Sequence, residues 1–106
     1  MTNEAIVVFC TAPSEEVAEQ LARALLEARC VACVNLVPGV RSMYRWQGVV
    51  EDTREVQLLI KTQRERFADV KRVIREVHPF DVPEIIALPV VAGSADYLAW
   101  IVAETG

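Results

Sequence analysis

A chain of 106 residues, 53% hydrophobic and 25% charged, has the size and make-up of one soluble globular domain over residues 1–106. Its formal net charge of −4 argues against nucleic acid or an anionic membrane as the main partner. The start, MTNEAIVVFC, has no basic region of a secretory signal, and no apolar run approaches the ~20 residues that span a bilayer. Three cysteines suit thiols in a reducing cytoplasm better than a disulfide framework.

In chain order, AIVVFC (5–10) is a continuous β-branched apolar run and predicts a central buried strand. TAPSEEVAEQLARALLEAR then takes helical spacing, with Val17, Leu21, Ala24, Leu25 and Ala28 on one stripe and Ser14 as N-cap. From Val31 the period becomes two. Residues 31–47 read as one extended segment bent at Pro38-Gly39, with Val40, Ser42, Tyr44 and Trp46 alternating against Arg41, Met43 and Arg45. Gly48 marks the turn, and VVEDTREVQLLIKT returns with Val56, Leu58 and Ile60 on one face. Thr62 and Glu65 form a T-x-x-E pattern that predicts a capping box for a second helix, whose stripe is Phe67, Val70, Ile74 and Val77. Lys71, Arg72 and Arg75 share that segment with Glu65, Asp69 and Glu76, so the basic run reads as a solvated face. Pro79 ends the helix near His78, because a residue before proline is pushed away from the α region. PEIIALPVV (83–91) predicts a last strand, and Ser94 caps a short helix carrying Tyr97, Leu98 and Ile101.

The order β-α-β-β-α-β plus a terminal helix is an α+β, ferredoxin-like split βαβ arrangement with a long β2–β3 hairpin. Fully extended, residues 31–47 span roughly 55 Å, whereas helices of this length reach about 24 Å. Two helices cannot cover the far end of such a hairpin, which carries Met43, Tyr44 and Trp46. Copies of the same chain are the simplest cover, so the expected assembly is a homo-oligomer.

Three features invite chemistry. CVAC (30–33) has redox or zinc spacing, but it follows a helix and enters a strand, and no second ligand pair accompanies it. Its spacing is read as coincidental, with Cys33 a small strand residue. CTAPSEE occupies the loop where an acylphosphatase-type enzyme cradles phosphate, yet it has no arginine and ends in two carboxylates. Cys10 and His78 close the first strand and the second helix, ends that a split βαβ fold can bring to one sheet edge. A thiolate with an imidazole suits Cu(I) or zinc, with Glu84 as a further donor. The same two residues also read as a buried strand cysteine and a helix-terminal histidine.

CTAPSEEVA, ACVNLVPGVRSMYRWQG, EVQLLIKT and HPFDVPEIIALPV…G…YLAW together resemble the CutA family of divalent-cation tolerance proteins, from about Ile6 to Ile101. The resemblance implies a ferredoxin-like subunit in a tight homotrimer whose long hairpins join neighbouring sheets. It implies a role in tolerance of copper and other divalent cations, copper binding, and no enzymatic activity. Carried over residue by residue, the metal ligands fall on Cys10 and His78. Some members have a second histidine where this chain has Val77, and a tyrosine where it has Phe80, so the implied copper site has two donors and modest affinity. Two other readings compete. One is a PII-like signalling or scaffolding trimer binding a small anionic ligand between subunits, with Arg41, Arg45, Lys61 and Glu84 as lining. The other is a ferredoxin-like hydrolase, disfavoured by CTAPSEE.

Overall fold

The computed structural model describes residues 3–106, ordered as β1 (Ala5–Ala12), α1 (Glu15–Glu27), β2 (Cys33–Trp46), β3 (Val49–Gln63), a 3-10 turn (Arg64–Arg66), α2 (Phe67–Val77), β4 (Ile86–Pro89) and α3 (Ala95–Thr105). The strands form one antiparallel sheet in the order β2-β3-β1-β4. This is the ferredoxin-like architecture the element order predicts. The two central strands, β1 and β3, are rich in β-branched and leucine side chains. Ile6, Val8, Cys10 and Ala12 of β1 and Val56, Leu58 and Ile60 of β3 point to one face, where they form a single core with α1 and α2.

The α1 stripe forms largely as the spacing predicts. Ser14 Oγ accepts the Val17 N–H at 3.2 Å, and Leu21 and Leu25 are fully buried. Ala28 is the exception: it is the exposed C-cap, and the helix has already ended. Arg29 then takes a left-handed conformation, φ 59°, and turns the chain toward the sheet so that Cys30 and Val31 enter the core in its place.

The hairpin is built at two points. Gly39, at φ 75°, supplies the conformation required by a register shift between Val37 and Val40. At the tip Trp46 faces Val49 across a two-residue turn, with Gln47 and Gly48 at φ 49° and 81°, the type I′ pattern that matches strand twist. The molecule is 46 Å along its longest axis, shorter than the roughly 55 Å of a fully extended 31–47 segment. The bulge and the later strand start at Cys33 shorten the arm. Beyond the helices its side chains stay open to solvent: Met43, Tyr44, Trp46, Val49 and Val50 are all exposed.

The Thr62–Glu65 capping box does not form. Thr62 belongs to β3 and is fully buried, its hydroxyl donating to the Cys30 carbonyl at 2.6 Å. The chain instead passes through the 3-10 turn, and α2 begins at Phe67 with no side-chain cap. Its apolar stripe is as expected, with Val70 and Ile74 fully buried and Phe67 and Val77 packed against the core. The outer face carries Arg72 between Asp69 and Glu76 at 3.5 and 3.7 Å. The last strand is shorter than predicted, four residues long and paired only to β1. Ser94 caps α3 through the Tyr97 N–H at 3.3 Å, and Ile101 packs on Ala5 and Ala32. Among the described residues no helix is long and apolar enough to cross a membrane.

Candidate functional site

His78 is the C-cap of α2. Its backbone is extended, φ −71° and ψ 134°, as Pro79 requires, and its N–H still closes the helix on the Ile74 carbonyl at 2.7 Å. The ring turns inward and is 7% exposed. Nδ1 accepts the Phe80 N–H at 3.1 Å, which assigns the proton to Nε2, and Nε2–H donates to the Thr11 carbonyl at 2.7 Å. One imidazole thus ties the end of α2 to the end of β1 and folds the 79–80 turn back on itself. The Phe80 ring lies against it with centroids 4.7 Å apart.

Cys10, one residue before Thr11, points into the helix-facing core and has no exposed surface. Its thiol makes only a long contact, 3.7 Å, to the Thr11 carbonyl. Burial, with smaller contributions from the negative charges of Glu84 and Glu55, pushes the thiol up to about 12, so it keeps its proton at neutral pH. The fold therefore brings both predicted ligands to the Thr11 carbonyl.

A bound metal needs a thiolate and an imidazole nitrogen with a free lone pair. In this arrangement Nδ1 is occupied, Nε2 carries a proton and the thiol is protonated. Among the described residues no three His, Cys, Asp or Glu side chains converge to hold an ion. The closed geometry does not fit a metal as it stands. Cys30 and Cys33 offer no alternative. Cys30 is buried with its thiol on the Leu25 carbonyl at 3.5 Å, and Cys33 lies in β2 opposite Lys61; all three cysteines are free.

Beside this junction lies a cavity of about 770 Å³, between residues 41–46 of the hairpin arm and the 79–84 loop. Thr11, Arg41, Tyr44, Trp46, Glu55 and Glu84 are among its walls. Of the four residues suggested for an anion-binding cleft, it gathers Arg41 and Glu84 but not Arg45 or Lys61. Lys61 is engaged with Asn35 instead. Arg41 is also not free, since its guanidinium makes a two-bond fork with Asp52 at 2.6 and 2.8 Å. Gln57 donates to the Cys10 carbonyl at 3.0 Å and to Glu84 at 3.4 Å, so it links the junction to the cavity. The sequence reading missed Glu55 and Gln57. Their signal was their odd position in β3, opposite in phase to Val56 and Leu58.

Residues 6–104, nearly the whole chain, match the family described as CutA1 divalent ion tolerance protein. The chain belongs to the CutA family. It is 50% identical over 100 residues to the divalent-cation tolerance protein CutA of Thermus thermophilus, covering 94% of this chain and 97% of that protein. The solved structure of the Thermus thermophilus protein superposes with a TM-score of 0.93 at 49% identity, covering 96% of this chain and 99% of that one. CutA from Xylella fastidiosa gives 0.94 at 40% identity, covering 97% and 99%. The long hairpin and the inward-turned helix end described above therefore belong to a CutA fold.

Proposed function

We propose that this chain works in divalent-cation tolerance as a homotrimer, in the cytoplasm, and without enzymatic activity. The observation that carries the oligomeric part is the uncovered arm. Tyr44 and Trp46 alternate on one of its faces and Met43 and Val50 on the other, beyond the reach of either helix. Single exposed apolar residues need no explanation, but a continuous two-sided stretch on a paired ribbon is the signature of a surface that another chain covers. The cation part rests on family membership. The non-enzymatic part is supported by the CTAPSEE loop, which lacks the arginine that would fix a phosphate.

Copper at Cys10 and His78 enters this reading only as weak binding. Coordination there has to break the Nδ1–Phe80 or Nε2–Thr11 hydrogen bond and remove a proton from a thiol that burial holds tightly. Cu(I) is favoured over Cu(II) because the one strong donor is sulfur.

Light scattering coupled to gel filtration tests the assembly, with a mass of three chains expected and a monomer at micromolar concentration fatal to it. Titration of the reduced protein with copper, beside Cys10→Ser and His78→Asn, tests the site. Reduced affinity in both variants is expected. Parent-like binding in both removes these residues from the metal's path and leaves His78 its structural role alone.

A further inference from the structure

The arm leaves the body of the subunit at one irregular point. Up to Val37 the β2 residues pair one to one with β3, and from Val40 they do so again. Between these pairs Pro38 and Gly39 together stand opposite Val56 alone. This extra residue is a β-bulge, which bends a strand and sharpens its twist. It sits at the border of the core. Val34 and Val56 pack with the helices, and among the described residues nothing between them belongs to that core. The bend therefore falls where packing stops holding the ribbon's direction.

The bulge also changes which β2 residues share the helix side, since paired residues point to one face of a sheet. In the body Val34 and Leu36 pair with Ile60 and Leu58, on the face that the helices cover. In the arm Ser42, Tyr44 and Trp46, equally even-numbered, pair with Thr53, Glu51 and Val49, which alternate against Val56 and Leu58. The two aromatic rings thus emerge on the helix-free side. Gly39 makes the bulge possible. Its φ is 75°, and a Cβ there would meet nothing within 4 Å, so backbone conformation alone calls for glycine.

We infer that the Pro38-Gly39 bulge is the conformational determinant of assembly, aiming the arm so that copies of the chain close into a ring. The inference rests on the trimer reading and adds which residues fix its geometry. In a head-to-tail assembly each copy relates to the next by a fixed rotation, and the ring forms only if that rotation closes. Where an arm makes the reach, the angle at its root sets the rotation. A ribbon running straight from the body carries the same side chains in another direction, and its assemblies are open or weak.

Removal of Gly39 isolates this effect. It leaves every pair from Val40 to Trp46 unchanged, keeps Tyr44 and Trp46 on their present side, and takes away only the bend. Light scattering over a dilution series, with circular dichroism on the same samples, is the measurement. The parent should have the mass of three chains. The deletion variant should keep its secondary structure and either dissociate at a protein concentration about tenfold higher or give a mass other than three chains. If the deletion variant does not fold, two point variants decide. Gly39→Asn tolerates a positive φ and should keep the parent's midpoint, whereas Gly39→Val, β-branched and averse to that conformation, should raise it about tenfold. A folded deletion variant with the parent's mass and midpoint, or equal midpoints for the Asn and Val variants, overturns the inference and leaves the trimer standing. A monomeric parent at micromolar concentration overturns both.

Discussion

His78 holds the same place whether or not copper ever reaches it. Its two hydrogen bonds join α2, the 79–80 turn and β1, and an asparagine cannot span both partners. His78→Asn leaves the Thr11 carbonyl or the Phe80 N–H buried without its bond, a loss of about 1–3 kcal/mol. Urea unfolding should show a lower midpoint with an unchanged slope. Cys10 provides the corresponding pH signature. Its thiol titrates near 9.0 when exposed and near 12 in the fold, so the folded state holds a proton that the unfolded chain releases. The resulting stability is complete below pH 9 and is lost as pH rises toward 12, by up to about 4 kcal/mol. Cys10→Ala should flatten that part of the stability profile relative to the parent, as measured by unfolding at stepped alkaline pH. A profile parallel to the parent's would mean that the thiol is solvated.

At the scale of elements, what the sequence revealed and what it hid have separable causes. Caps and stops carried by one side chain were legible: Ser14, Ser94 and the proline after His78 each act on their own backbone neighbourhood. The T-x-x-E pattern failed because the hydroxyl of Thr62 had a better, non-local partner in the Cys30 carbonyl, 32 positions away. The two uses predict different mutants. Thr62→Val should cost about 1–3 kcal/mol through the orphaned carbonyl, and Glu65→Ala almost nothing. A capping box would make both costly. Ala28 was misassigned for a similar reason, since helical spacing shows where a stripe runs but not where a left-handed residue such as Arg29 ends it. In the site, the element order allowed Cys10 and His78 to lie near one sheet edge without fixing their distance, and both reach the Thr11 carbonyl. It was silent on direction, because a side chain's face depends on strand phase and ring orientation on partners found only in three dimensions.

The whole molecule departs from a compact domain only in its arm, and the assembly reading rests there. Trp46→Ala should loosen the trimer more than it unfolds the subunit. Truncating a buried aromatic costs about 3–5 kcal/mol, while an exposed one costs little. Dilution series by light scattering should show the variant dissociating at a protein concentration at least about tenfold higher than the parent. An unchanged dissociation midpoint with Trp46 still solvent-accessible by quenching would remove this face from the assembly. The Arg41–Asp52 fork, by contrast, is exposed on the same arm, and breaking it should change stability only slightly.

The turn at Gln47-Gly48 also bears on the order in which the molecule comes together. A two-residue reversal between neighbouring strands closes in microseconds, because almost no chain entropy separates its ends. The pairing of β1 with β3 must instead join Ala5 to Gln63 across most of the chain, and sequence-distant contacts of this kind slow folding. The arm is therefore the earliest part of the sheet to acquire its shape, and it displays Tyr44 and Trp46 before the core behind it has closed. Refolding at high concentration then sets intermolecular capture against completion of the subunit. Dilute refolding should return more native protein than concentrated refolding, with the difference arising at the tip of the hairpin.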